Sequence, residues 1–225
     1  RAMILSVESR RKVAEFLLRI KAIQLRPNDP FIWASGRKSP IYCDNRKALS
    51  HPTVRTFVRQ LAVEAIENQY GKVDAIAGVA TGGIALGALV AQELGLPFIY
   101  VRSKAKDHGM GNAIEGDLTV LSNVVVIEDL ISTGQSSLKA VDALRDAGIE
   151  VKGLIAIFTY GFEVSNSAFQ AANCPWLTLT DYPTMLDQAL QEGYLNGSQR
   201  MMLDDWNRDP KGWSEAFDQS QEAKK

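Results

Sequence analysis

At 225 residues, with 46% hydrophobic and 23% charged content, the chain has the size and make-up of one large α/β domain, or one core with a small subdomain. A formal net charge of -1 gives no electrostatic footprint for nucleic acid or an anionic membrane, so neither is expected as a partner and any phosphate chemistry must be local. Two cysteines, Cys43 and Cys174, form neither a disulfide framework nor a metal pattern, which fits a reducing cytoplasm.

The apolar start gives way at once to a charged helical segment, so no signal peptide is expected. Val13, Phe16, Leu17, Ile20 and Ile23 recur at helical spacing and predict an amphipathic helix. In PNDPFIWASGRKSPIYCDNR, residues 31–33 and 41–43 read as short strands around a Ser-Gly-Arg-Lys-Ser-Pro loop. Pro52 opens a helix carrying Val54, Phe57, Val58, Leu61 and Ile66, which stops near Gly71. The uncharged run 75–91 approaches membrane-spanning length, but its glycines divide it into a strand, a tight loop and a buried helix.

From there the pattern alternates. VDAIAGV, PFIYV, NVVVIE, VKGLIAIF and WLTLT read as strands; GGIALGALVAQELG, GQSSLKAVDALRDAG and a stretch around 163–172 read as helices. Short apolar runs separated by helices indicate a parallel sheet covered on both faces. The insertion 103–121 is polar, glycine-bearing and too long for a plain connector, as functional lids and hairpins are. Beyond Asp181 the chain turns polar, with helices around 185–191 and 198–206 and then a charged end; Trp206 and Trp213 are expected to pin that tail to the body.

In open parallel sheets ligands bind beyond the carboxyl ends of strands. In VVVIEDLISTGQSS an apolar strand delivers Glu128 and Asp129 to its end, and Ser132, Thr133 and Gly134 lead into a helix beginning near Gln135. A helix N-terminus favours a phosphate, Ser132, Thr133 and Ser136 add hydroxyl donors, and Gly134 allows close backbone approach. Carboxylates beside a phosphate would repel it, so Glu128 and Asp129 are expected to accept from sugar hydroxyls or help hold Mg²⁺. The plain alternative is that Ser132 or Thr133 caps the helix and the acids are solvated. GVATGG, residues 78–83, lacks the glycine spacing of a dinucleotide site and the lysine of a P-loop, yet its small residues could wrap a second phosphate. RSKAKDHGMGNAIEG gathers Arg102, Lys104, Lys106 and His108 in a glycine-bearing loop, which suits a lid over an anion; His51 is expected to be structural.

VVVIEDLISTGQSS resembles the phosphoribosyl-pyrophosphate (PRPP) motif of type I phosphoribosyltransferases. KAKDHG is similar to the catalytic loop of the orotate branch of that family, and SGRKSPIYCDNR to its N-terminal substrate segment. The resemblance implies a parallel-sheet core flanked by helices with a small N-terminal hood, and transfer of phosphoribosyl from PRPP to orotate with Mg²⁺ held mainly by PRPP. It also implies a homodimer whose loop 103–113 is shared between subunits. Carried over, Glu128 and Asp129 would hold the ribose hydroxyls, and Ser132, Thr133, Gly134, Gln135 and Ser136 the 5′-phosphate. Ala80, Thr81 and Gly82 would approach the pyrophosphate, with Lys106 as its main cation, assisted by Arg102 and His108. Lys106, Glu128 and Asp129 would form the catalytic group.

The chain departs from other branches in three places. Ser103 stands where many members have lysine, with Lys104 one step later; Ala34 and Gly82 replace two more lysines; and FTYGFE lacks an arginine for the orotate carboxylate. Arg46 and Lys38 are the candidates to meet that carboxylate, with Ser132 beside the base, and Arg46 is preferred for its planar fork. Cys43 is expected to be a small buried residue. Expected divisions are a helix and hood over 1–50, the core over 51–181 and a helical tail over 182–225. Alternatives are a phosphoribosyltransferase for another base, or a regulator that senses PRPP without turning it over.

Overall fold

A computed structural model of the chain describes residues 5–104 and 113–225. Ser6 caps α1 (Val7–Arg19), its side chain accepting from the Ser9 N–H at 3.0 Å. The expected helix is one turn too long: Lys21 takes a left-handed conformation (φ 59°), the chain reverses, and Ile23 opens β1 (Ile23–Leu25). Ile23 still reaches the core, from a strand.

The segment after it forms two small antiparallel ladders. β2 (Phe31–Ile32) pairs with β3 (Lys38–Ser39), and β4 (Ile41–Cys43) returns to pair with β1, matching Ile23 with Cys43. A 3₁₀ turn over Asn45–Ser50 leads to α2 (Pro52–Gln69), where proline occupies the first turn, whose N–H would have had no partner.

β5 (Ala75–Val79), α3 (Gly82–Leu94), β6 (Phe98–Val101), β7 (Ile114–Glu115), β8 (Asn123–Ile131), α4 (Gln135–Asp146), β9 (Glu150–Thr159), α5 (Glu163–Ala171) and β10 (Trp176–Thr178) build the core. Its six-stranded sheet runs β10-β9-β8-β5-β6-β7, parallel except for β7 at the edge. The strands are apolar on both faces because both are covered. Ile76, Val125, Ile127, Ile155 and Ile157 point to the side of α1, α2 and α3. Ala77, Val124, Val126, Leu154 and Ala156 point to α4 and α5, packing with Val141, Leu144 and Phe169. Part of the 103–121 insertion is a hairpin arm, with Val101 opposite Ile114 and the Arg102 N–H donating to the Ala113 carbonyl at 2.7 Å.

The tail holds three helices: α6 (Tyr182–Gln191), α7 (Gly197–Arg208) and α8 (Pro210–Glu222). The stretch expected only as a charged end is thus a thirteen-residue helix, opened by the side chain of Asp209, which accepts from the Gly212 N–H at 3.0 Å. Trp206 is fully buried against Trp33, Tyr160, Phe162 and Tyr182. Among the described residues, no helix is long and apolar enough to cross a membrane.

One detail of register positions the site. β5 pairs with β8 only from Ala75 opposite Val124 to Gly78 opposite Ile127, whereas β9 continues beside β8 as far as Ile131 opposite Thr159. Glu128 and Asp129 therefore lie inside β8 and not beyond its end. The expectation of a strand that stops at the acids is corrected here, because the ten-residue β9 keeps supplying a partner. From residue 128 onward the edge of β8 on the β5 side is open, and that opening is the floor of a cleft.

Candidate active site

The cleft holds about 510 Å³, and its wall includes Arg46, Thr81, Gly82, Asp129, Ser132 and Ser136. Glu128, Thr133 and Gly134 line it too, so the structure gathers most of the residues singled out in the sequence around one opening.

The two acids differ. Glu128 is 5% exposed, and both of its oxygens are engaged: Oε2 accepts from the Ser137 hydroxyl at 2.9 Å and Oε1 from the Asp129 N–H at 3.0 Å. Burial pushes the Glu128 carboxyl up to about 8. The hydrogen bond and negative charge of the Asp129 side chain add to the rise, and the Ser137 and Asp129 N–H bonds oppose it. Near neutral pH, Glu128 therefore holds a proton beside Asp129. The Asp129 carboxylate lies against Gly82: a Cβ there would come within 2.2 Å of its Oδ2. A side chain at 82 would therefore require the Asp129 carboxylate to turn away.

At the other end of the cleft, α4 begins after Gly134, which takes φ 83° and supplies no side-chain cap bond. A Cβ at Gly134 would stand 3.0 Å from the Phe169 ring, a second reason for glycine. The alternative in which Ser132 or Thr133 caps the helix is not what forms; Thr133 Oγ1 receives only a 3.5 Å bond from the Gln135 N–H. The first-turn N–H groups face the cleft loop with the Ser132, Thr133 and Ser136 hydroxyls around them, a cradle suited to an anion. Gln135 lines the adjoining chamber of about 530 Å³ together with Arg102, Ser103 and Lys139. Arg102 there sits 3.5 Å from Glu115.

Opposite the acids stands the hood. Arg46 lines the cleft, with its side chain 58% exposed and only a 3.9 Å approach to Asp44. Lys38 does not reach it. Its ammonium pairs with Asp218 on α8 and lies 5.8 Å from the Phe217 ring centre, so Lys38 is corrected from a base-binding candidate to a tie between hood and tail. Lys106 and His108 lie outside the described residues. Cys43 is half-buried, not fully buried, and lines the cleft; its thiol donates to Asn45 Oδ1 at 3.2 Å and is pushed well up by burial and by Asp129.

Sequence reasoning missed Asn45, Ser137 and Lys139. Asn45 is 2% exposed, and its amide donates to the Asp129 carbonyl at 2.9 Å, tying the hood to the acid strand. Ser137 carried a signal, being one helical turn past the phosphate loop on the buried face of α4. Lys139 had none, since a helical lysine is usually solvated.

Residues 47–174 match the phosphoribosyl transferase domain. Orotate phosphoribosyltransferase of Phocaeicola vulgatus is 58% identical over 200 residues, covering 89% of this chain and 94% of that protein. Among solved structures, orotate phosphoribosyltransferase from Aeropyrum pernix superposes with a TM-score of 0.71 at 28% identity, covering 82% of this chain and 99% of that one. UMP synthase of Leishmania donovani gives a TM-score of 0.73 at 23% identity over 88% of this chain and 42% of that longer chain, a likeness of fold. With the family match over residues 47–174 and a relative 58% identical across 89% of the chain, the chain belongs to the phosphoribosyltransferase family and, within it, to the orotate phosphoribosyltransferases.

Proposed function

We propose that the cleft transfers the phosphoribosyl group of PRPP to orotate, releasing pyrophosphate and forming orotidine 5′-monophosphate. The observation that carries this reading is one opening that combines an uncapped helix N-terminus with an acid pair. One end suits a phosphate and the other suits sugar hydroxyls. The 5′-phosphate would take the first-turn N–H groups of α4 and the hydroxyls of Ser132, Thr133 and Ser136. Asp129 would accept from the ribose hydroxyls, with Glu128 behind it bonded to the Ser137 hydroxyl and the Asp129 N–H. Arg46 would meet the orotate carboxylate with its planar fork, beside Ser132.

Bond breaking at C1 builds positive charge on the sugar and negative charge on the departing pyrophosphate. No protein nucleophile is required if the leaving group is stabilised and orotate nitrogen is held in line. Thr81, Gly82, Arg102, Lys106 and His108 would act on that leaving group. The residues present suit an Mg²⁺ carried by the substrate: no group of three or more His, Cys, Asp or Glu among the described residues could hold a metal, and the Glu128 oxygens are already engaged. Asp129 is the carboxylate placed to add one oxygen ligand, and the ion's chemistry would be neutralisation of pyrophosphate charge. The same reading divides the chain into hood (1–50), core (51–181) and tail (182–225), and places loop 103–113 across a homodimer.

The test is orotate consumption followed by ultraviolet absorbance with PRPP and Mg²⁺, alongside uracil and hypoxanthine reactions. Loss of orotate that requires PRPP supports the reading. PRPP binding with no base consumed would favour a sensor, and turnover of another base would change the substrate.

A further inference from the structure

A second cavity of about 510 Å³ lies beside the sugar-phosphate cleft, lined by Phe31, Trp33, Tyr42, Cys43 and Tyr160 among others. Cys43 lines both spaces, so the two cavities meet at that residue. Its walls come from distant parts of the chain: Phe31 and Trp33 belong to the β2–β3 hairpin and the residue following β2, while Tyr160 follows the end of β9. The hairpin is a two-residue ladder, too short to hold its own position.

Its position is fixed from the tail. The Lys38 N–H donates to the buried Ser214 hydroxyl at 2.9 Å, and the Lys38 ammonium pairs with Asp218, both partners on α8. The opposite wall is held by α7: the Asn207 amide donates to the Tyr160 carbonyl at 2.8 Å, and the Trp206 ring packs on both Tyr160 (5.6 Å) and Trp33 (6.1 Å).

We propose that α7 and α8 form a latch that holds the hood hairpin against the end of β9 and so sets the width of the aromatic cavity that receives the base. This rests on the orotate reading above. Lys38 acts through the hairpin, so it is a positioning residue. The latch makes base affinity depend on a helix that touches neither substrate, while the PRPP half, built on β8 and α4, stays independent of it.

The test is Asp218→Lys, which sets two ammonium groups against each other at a site 47% exposed. The KM for orotate should rise about five-fold, with kcat and the KM for PRPP within about two-fold of wild type. Adding Lys38→Glu should restore the orotate KM, which loss of a merely structural surface pair would not predict. Hydrogen exchange of the unliganded protein, read by mass spectrometry, should quicken across residues 31–39 in Asp218→Lys and slow again in the double variant. An unchanged orotate KM, an equal rise in the PRPP KM, or failure of the double variant to recover overturns the latch. If the wild type consumes no orotate with PRPP, the functional reading falls instead. Exchange then decides the latch alone, and unchanged protection at 31–39 refutes it.

Discussion

Replacing Glu128 with glutamine should make the protein more stable at alkaline pH relative to wild type, and hardly so in acid. The folded protein holds the Glu128 proton with a pKa of about 8 against an ordinary 4.5. Between those values the folded state binds more protons than the unfolded one, so stability is full below the unfolded value and is lost as pH rises through the folded one. The whole gap corresponds to at most roughly 5 kcal/mol. Because the Ser137 and Asp129 N–H bonds oppose the burial that raises Glu128, removing Glu128 should recover about 2 kcal/mol of that ceiling. Glutamine reproduces the protonated acid: its amide can donate to Asp129, and its oxygen can accept from the Asp129 N–H. Urea unfolding of both proteins at about pH 5 and about pH 8.5, at fixed ionic strength, gives the double difference directly. A stability difference that stays constant between the two pH values, or grows toward acid, would refute the account of a buried proton at Glu128.

Two neighbouring glycines should separate folding from function. Gly83→Ala places a Cβ 2.3 Å from the Ile127 carbonyl oxygen inside the sheet; it should cost about 3 kcal/mol and lower Tm by roughly 6–12 °C. Gly82→Ala meets first the Asp129 carboxylate, a side chain that can turn away, so Tm should move little while turnover falls at least about ten-fold; equal effects of the two on Tm would refute the distinction. Arg46→Ala should raise the KM for orotate roughly ten- to hundred-fold with little change for PRPP, and steady-state kinetics in each substrate check it. Lys106→Ala should slow turnover by roughly 10²-fold if that lysine meets the leaving pyrophosphate, as single-turnover rates would show.

The sheet was legible because each strand is an apolar run bounded by turn residues, and burial on both faces leaves that pattern undisturbed. The strand–loop–helix passage from Glu128 to Gln135 was legible as one candidate site for a different reason: helix starts, small residues and paired acids have few explanations together. Periodicity misled at Ile23, because an apolar residue reaches the same core from a helix or from a strand once Lys21 reverses the chain. It misled again at Glu128 and Asp129, because whether a strand continues depends on the length of its neighbour, which local sequence does not encode. α8 went unseen since its buried contacts, Ser214 among them, are polar or aromatic and sparse. Lys38 was assigned to the base because its partner Asp218 lies 180 residues away.

The uneven reach of β5 and β9 along β8 opens a cleft whose two halves stand on different parts of the fold. The residues proposed to grip sugar and phosphate stand on or just beyond β8, in the longest ladder of the sheet, where change disturbs the core. The cavity proposed for the base is walled in part by short appended ladders fastened from outside by the last two helices. A chain built this way can exchange the segment 31–46 and its α8 contacts as a cassette, acquiring a new acceptor while the grip on the activated sugar stays as it was.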